Sequence, residues 1–314
     1  MSTQLPSTSL GALRISRIGL GMMGLSGTWD PTQVTDASIE KAIKAVQTAV
    51  EVGINFFDHA DIYGRTTCES IFKECLAALP KGREGLVIAT KCSIRVPNDP
   101  PGSPHHYNLS ESYIRRSVEA SLERMGIEYI DLLQLHRPDP FTHPRETARA
   151  LDRLIEEGLI RGVGVSNYFP EQVRALQTFL TAPILATQPS ISLWDLDTFD
   201  NGILDQAEAL AIRPLAYSPL GKGYLAGKQL APDHPRYAVW QKLTAMLAEV
   251  AVEVQATPGQ VALAWLLHHP AGVVPLVGSN NPAHIREAAG ALQVQLTREQ
   301  WYRLWVAARP NPLP

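Results

Sequence analysis

From about residue 18 to its end, the chain alternates short apolar runs with longer segments of helical period. The runs are Ile18–Met23, Ile54–Phe57, Leu86–Thr90, Tyr129–Leu135, Gly162–Val165, Ile184–Ala186, Pro214–Ala216 and Val273–Val277. They are apolar on both faces, which suits strands covered on both sides by helices and hence a parallel sheet. Between the first two runs, Ile39, Ile43, Val46 and Val50 share one helical face, and Gly53 follows as a stop. Eight strand-and-helix units in one domain predict a closed (β/α)₈ TIM barrel rather than an open sheet. An open dinucleotide-binding sheet would also need a helix directly after GxGxxG. Gly19–Gly24 has those letters, but Gly27 and Pro31 stand where that helix would begin.

Further boundaries are readable. Ser110 is expected to open a helix whose face is Ile114, Val118, Leu122 and Met125, with Gly126 ending it. Another helix is expected around Leu151–Ile155, closed by Gly158. Thr257 can cap a helix with Pro258 at its first position. Leu10–Arg17 is expected as a β-hairpin closing the barrel floor. An extra C-terminal helix is expected where Thr297 and Gln300 stand at capping-box spacing, with Trp301, Leu304 and Trp305 on one face. Residues 1–8 are expected to be disordered, and 9–314 to form a single barrel domain.

Composition narrows the function classes. The 314 residues are 45% apolar and 19% charged, enough for a large core. A net charge of -3 without a Lys/Arg stripe argues against nucleic acid as a partner. The three cysteines (Cys68, Cys75, Cys92) form no CxxC and cannot all pair, which fits a reducing compartment. The first ten residues have no apolar h-region, and no window approaches a membrane span. A cytoplasmic location is therefore expected.

The C-terminal ends of the runs carry the chemical information. Phe57 gives way to Asp58, Thr90 to Lys91 and Leu135 to His136. Val165 leads to Ser166-Asn167, Thr187 to Gln188, Ala216 to Tyr217-Ser218 and Val277 to Gly278-Ser279. In a (β/α)₈ barrel the C-terminal strand ends converge on one face, where the βα loops build the site. Any one of these side chains could be a satisfied buried polar group. Agreement at seven strand ends is a pattern that a purely structural barrel does not need. Asp58 and Lys91 fall on adjacent strand ends and are expected to pair. A charged Lys91 would then lower the pKa of a nearby phenol. Tyr63 lies five residues past Asp58, in a loop that can fold over the mouth. Such a tyrosine can give a proton to a carbonyl oxygen while a cofactor delivers hydride, with His136 orienting the carbonyl.

These segments resemble the aldo-keto reductase family, in its bacterial oxidoreductase branch. Asp58-His59-Ala60-Asp61-Ile62-Tyr63-Gly64 matches the signature D-x-A-x-x-Y-G. Ile88–Lys91 resembles the lysine strand, Asp131–His136 the histidine strand, and Gly162–Asn167 and Ala216–Gly221 the cofactor-holding segments. Five motifs in family order span the chain from about Ile18 onward. The resemblance implies an Asp58, Tyr63, Lys91 and His136 tetrad with Tyr63 as general acid, reducing aldehydes or ketones. It implies that Ser166, Asn167 and Gln188 hold a nicotinamide carboxamide and that Tyr217 stacks on the ring. Ser218, Leu220 and Gly221 would line the pyrophosphate, Gly21 and Met22 the nicotinamide end. Gly278, Ser279, Asn280 and His284 fall in the segment that holds the adenosine phosphate. There the sequence departs from the pattern, because the family commonly places Arg or Gln at His284 and Lys near Asn280 or Asn281. Asn280, Asn281 and His284 make a weaker anion site, and Arg286 lies two residues further along. NADP(H) is expected on family grounds, with NAD(H) as the alternative.

Trp29, Tyr107, Trp194 and Trp240 fall in or near expected βα loops and are candidates for an apolar substrate pocket. His105-His106 and His268-His269 are i,i+1 pairs that do not share a helix face, and no metal-ligand spacing appears. The expected partner is a small carbonyl compound, with no nucleic acid or membrane, in a monomer or weak oligomer. Two alternatives remain open. One is a non-catalytic, cofactor-binding regulatory subunit on the same fold. The other is a Schiff-base aldolase using Lys91, which Asp58 opposes by keeping that lysine protonated.

Overall fold

In the computed structural model, which describes residues 5–310, a hairpin of β1 (Ser7–Leu10) and β2 (Leu13–Ser16) precedes the main sheet. Then come β3 (Gly19–Gly21), β4 (Phe56–Asp58) and β5 (Val87–Cys92). A small antiparallel ribbon of β6 (Ile94–Arg95) and β7 (His106–Tyr107) follows. The remaining strands are β8 (Leu132–Leu135), β9 (Val163–Ser166), β10 (Ile184–Gln188), β11 (Arg213–Ala216) and β12 (Val274–Val277). All but the hairpin and the ribbon close into one parallel eight-stranded barrel, in which β12 pairs back onto β3. This is the (β/α)₈ barrel that the alternation predicts, and all eight expected runs are its strands.

The period of two selects the side chains that face the barrel interior, and their types make one end of it apolar and the other polar. Side chains two residues apart share a face, so the inward series read Phe56 to Asp58, Ala89 to Lys91, Leu132 to Gln134 and Ala186 to Gln188. Their apolar members pack together with Leu215, Val274 and Leu276. Leu10 and Ile15 of the hairpin join the same cluster and plug the floor. Glycine is required at Gly19, where a Cβ would stand 2.7 Å from the Phe56 ring and 2.8 Å from Leu276. Strand β1 takes in Ser7 and Thr8, which the sequence pattern assigns to a disordered start, because they pair with Ser16 and Ile15. Residues 1–4 of that expected disordered start lie outside the described residues, as do 311–314.

The helices are α1 (Asp36–Glu51), α2 (Thr67–Ala77), α3 (Glu111–Met125), α4 (Pro144–Glu156) and α5 (Pro170–Gln177). They continue with α6 (Ile203–Ala209), α7 (Tyr237–Glu253), α8 (Pro258–Leu267), α9 (Pro282–Gly290) and α10 (Arg298–Ala308). Thr257 and Thr297 cap α8 and α10 with full capping boxes through Gln260 and Gln300. Gly126 ends α3 in the left-handed conformation at φ 64°. Ser110 precedes α3 but makes no side-chain cap; its hydroxyl donates to Asn108 Oδ1 instead. Helix α4 begins at Pro144, well before the apolar face at Leu151–Ile155, with His143 Nδ1 accepting from the Arg145 backbone N–H. No described helix is long and apolar enough to cross a membrane.

Candidate active site

A cavity of about 790 Å³ opens at the C-terminal ends of the barrel strands. Asp58, Tyr63, His136, Ser166, Asn167, Gln188 and Tyr217 all contribute to its wall. Lys91 sits beneath, fully buried. Its ammonium donates to Asp58 Oδ2 at 2.6 Å, to the His59 carbonyl at 2.7 Å and to Tyr63 Oη at 3.1 Å. Those three bonds use all of its donors. Burial works against the charged ammonium, but Asp58 and then Tyr63 more than offset this, and Lys91 is held above the ordinary lysine range. The other Asp58 oxygen accepts from Gln134 Nε2 and Gln188 Nε2, at 2.8 and 2.9 Å. The buried carboxylate is therefore paired and fully hydrogen-bonded.

The electrostatics at Tyr63 differ from the sequence expectation. Burial pushes the phenol up, Lys91 pulls against it, and the net shift is upward. The expected lowering considered the cation but not the desolvation of the phenolate. His136 faces Tyr63 edge-on at 5.9 Å between ring centroids. Burial, and then Lys91 and Arg137, push its imidazole well below the usual range, so it is neutral. The arrangement brings a protonated phenol, a neutral imidazole and an anchored ammonium to one cavity wall. That set can give a proton to an oxygen placed among them.

Beside it, Ser166 Oγ donates to the Gln188 carbonyl, and Asn167 Nδ2 to Ser166 Oγ and the His136 carbonyl. Asn167 has φ 58°, which turns its amide toward Tyr217, whose hydroxyl donates to Asn167 Oδ1 at 2.9 Å. Gly21, Ser218, Leu220, Gly278, Ser279 and His284 also line the cavity. Met22 is buried beneath the wall, and its neighbour Met23 lines it. Gly221 borders a neighbouring depression, against Trp194. Asn280 turns away from the cavity, its amide donating to the carbonyls of Gly24 and Leu25. Asn281 caps α9, and Arg286 reaches Glu51 on α1.

Of the four aromatic candidates, Trp29 lines the cavity at its rim. Tyr107 packs on His105 in the ribbon. Trp194 lies in the neighbouring depression with Arg236 stacked 3.9 Å over its ring. Trp240 is buried in α7, donating to the Tyr224 carbonyl. Loop aromatics pack wherever a neighbouring loop covers them, and sequence spacing carries no information about that. Sequence reasoning missed Gln134, a polar residue inside an apolar strand and therefore detectable. It also missed Arg137, Lys222, Lys228 and Glu287, which line the cavity from loops and helices.

The aldo/keto reductase family model matches residues 17–307. The chain belongs to the aldo/keto reductase family. It is accordingly an oxidoreductase of the class that reduces carbonyl groups. A 6-dehydroglucose reductase of Novosphingobium aromaticivorans is 42% identical over 280 residues, covering 87% of each chain. A 6-dehydroglucose reductase of Agrobacterium fabrum is 37% identical over 298 residues, 94% of this chain and 95% of that one. Among solved structures, the glycerol dehydrogenase of Gluconobacter oxydans superposes with a TM-score of 0.84 at 26% identity, covering 100% of this chain and 98% of that one.

Proposed function

We propose that this aldo/keto reductase uses NAD(P)H to reduce the carbonyl of a small hydroxylated aldehyde or ketone, with Tyr63 as the general acid. The single observation that carries this reading is the Lys91 ammonium, bonded at once to Asp58 and to Tyr63 beneath an open cavity. The names of the two sugar-aldehyde reductases, and of the polyol dehydrogenase, support a hydroxylated substrate.

The residues present fit a nicotinamide dinucleotide. At Gly278 the space a Cβ would take has no atom within 4 Å, so an elongated ligand can run close to the backbone there. Ser166, Asn167 and Gln188 would hold the carboxamide, and Tyr217 the ring. Ser218, Leu220 and the loop to Gly223 would line the pyrophosphate, with Gly278, Ser279 and His284 toward the adenosine. When bound, the cofactor supplies the hydride. Tyr63 gives its proton to the carbonyl oxygen, and Lys91 compensates the phenolate that forms. Asp58 keeps Lys91 charged, and neutral His136 holds the carbonyl oxygen toward Tyr63. NADP(H) is our first assignment, on family resemblance. NAD(H) is the second, because the Asn280 amide and the Arg286 guanidinium are engaged elsewhere.

The test is turnover of glyceraldehyde with each cofactor by wild type and Tyr63→Phe. Wild-type turnover that the variant loses, with cofactor still bound, supports the reading. Wild-type protein that neither binds nor oxidises NADPH or NADH overturns it. Binding without turnover would instead mean a cofactor-sensing subunit.

A further inference from the structure

One cavity residue has a charge that neither the family signature nor the tetrad uses. Arg137 comes directly after His136, in the loop after β8, and its backbone N–H is held by Ser93 Oγ at 2.9 Å. Its guanidinium neighbours the Tyr217 phenol, whose ionisation it favours, and the His136 imidazole, whose protonation it opposes. It is therefore close to two groups in the cavity wall. Among the described residues it forms no salt bridge, although the nearby Asp139 carboxylate is well used, accepting from Leu109 N, Phe141 N and Thr142 Oγ1. The same cavity also has apolar wall, contributed by Trp29, Ile62 and Ile94. A half-buried guanidinium has five donors in a planar fork, and the Tyr217 oxygen can take only part of them. An aliphatic substrate filling the space would strip water from those donors and give nothing back, which is costly.

We propose that Arg137 is the specificity-determining residue of this site, selecting carbonyl compounds that carry a hydrogen-bond-accepting oxygen, hydroxyl or carboxylate, close to the carbonyl. The proposal rests on the reductase reading above and adds to it which part of the substrate is recognised and by what. A site that hydrogen-bonds a substrate oxygen rejects the analogue lacking it more strongly than an apolar pocket rejects an added group, because the bound analogue leaves the donor unpaired. Both acceptors use the same fork. A carboxylate gains more from it, since both partners are then charged.

The test uses the full chain with saturating cofactor and four probes: glyceraldehyde against propanal, and 4-oxobutanoate against butanal. For each pair, the ratio of kcat/KM measures the preference for the oxygenated member. Arg137→Met is expected to lower at least one ratio by about tenfold or more, chiefly through KM of the oxygenated substrate. A fall in the first ratio assigns a hydroxyl, and a fall confined to the second assigns a carboxylate. Arg137→Lys should recover part of the lost preference, because it restores a cation without the fork. Ratios unchanged in Arg137→Met, whether rates hold or fall in parallel on all four probes, overturn the proposal. Arg137 would then act only through Tyr217 and His136. Wild-type protein inactive on all four probes would overturn the reductase reading itself, a separate result.

Discussion

Lys91 Nζ stands 3.1 Å from Tyr63 Oη and 2.6 Å from Asp58 Oδ2, so one buried ammonium joins the phenol to a carboxylate. The phenol nonetheless ionises above its ordinary range, because burial outweighs the cation. Tyr63 is thus a protonated acid throughout the neutral range. The kcat for carbonyl reduction should stay flat through neutral pH and fall only above the ordinary tyrosine value of 10.0. Alcohol oxidation, which needs the phenolate, should rise with pH instead. His136, held neutral, should add no ionisation near neutrality. Tyr63→Phe should lose about 10²–10⁴-fold in kcat. Profiles of kcat in both directions check this, and a reduction rate that falls between about pH 6 and about pH 8 would contradict it.

The same ion pair carries stability. Both groups are buried, and removing one leaves the other charged without a partner. Lys91→Met or Asp58→Asn should each cost about 3–5 kcal/mol of unfolding free energy. The double variant should recover part of that loss, since it leaves no buried charge behind. Urea denaturation of the three variants measures the coupling. A double variant as unstable as the sum of the singles would show that the pair is not the cause.

Asp61 gives the fold a pH dependence of its own. It is buried, with Tyr113 Oη and Ser117 Oγ donating to Oδ2, while Oδ1 has no partner among the described residues. Burial raises its carboxyl from 3.8 to about 7, with Ser117 opposing and Glu69 adding to the rise. The folded state therefore keeps a proton that the unfolded chain releases. Stability should fall as pH rises from about 4 to about 7, with a slope of up to about 1.4 kcal/mol per pH unit from this group. Asp61→Asn should flatten that slope. Denaturation midpoints across the range decide it, and an unchanged slope would place the effect elsewhere.

Cofactor choice can be tested at the start of α9. Asn280 is tied to the β3–α1 loop and Arg286 to Glu51, while His284, where the family commonly has Arg or Gln, lines the cavity together with Glu287 and Ala288 of the same helix. His284→Arg should tighten NADPH binding by several-fold, of the order of a single added charge contact, and NADH much less. Fluorescence titration with both cofactors reads this directly. An equal effect on the two would remove His284 from the phosphate site.

The sequence alone determined the barrel, because its evidence is local. Short runs apolar on both faces, and a period of about 3.6 between them, are written in neighbouring residues, and so is the strand-end placement of Asp58, Lys91 and His136. The Thr257 cap and the Thr297 capping box were legible for the same reason. Tertiary structure decided what depends on residues far apart. Asp58 receives Gln134 and Gln188 from 76 and 130 positions away. Trp240 went into the core and Trp29 to the cavity rim, and the Asn280 amide turned to Gly24. The shift at Tyr63 changed sign for a related reason. A charge at a strand end can be read from the sequence, but desolvation is a sum over everything that packs around the phenol, and only the folded chain performs that sum.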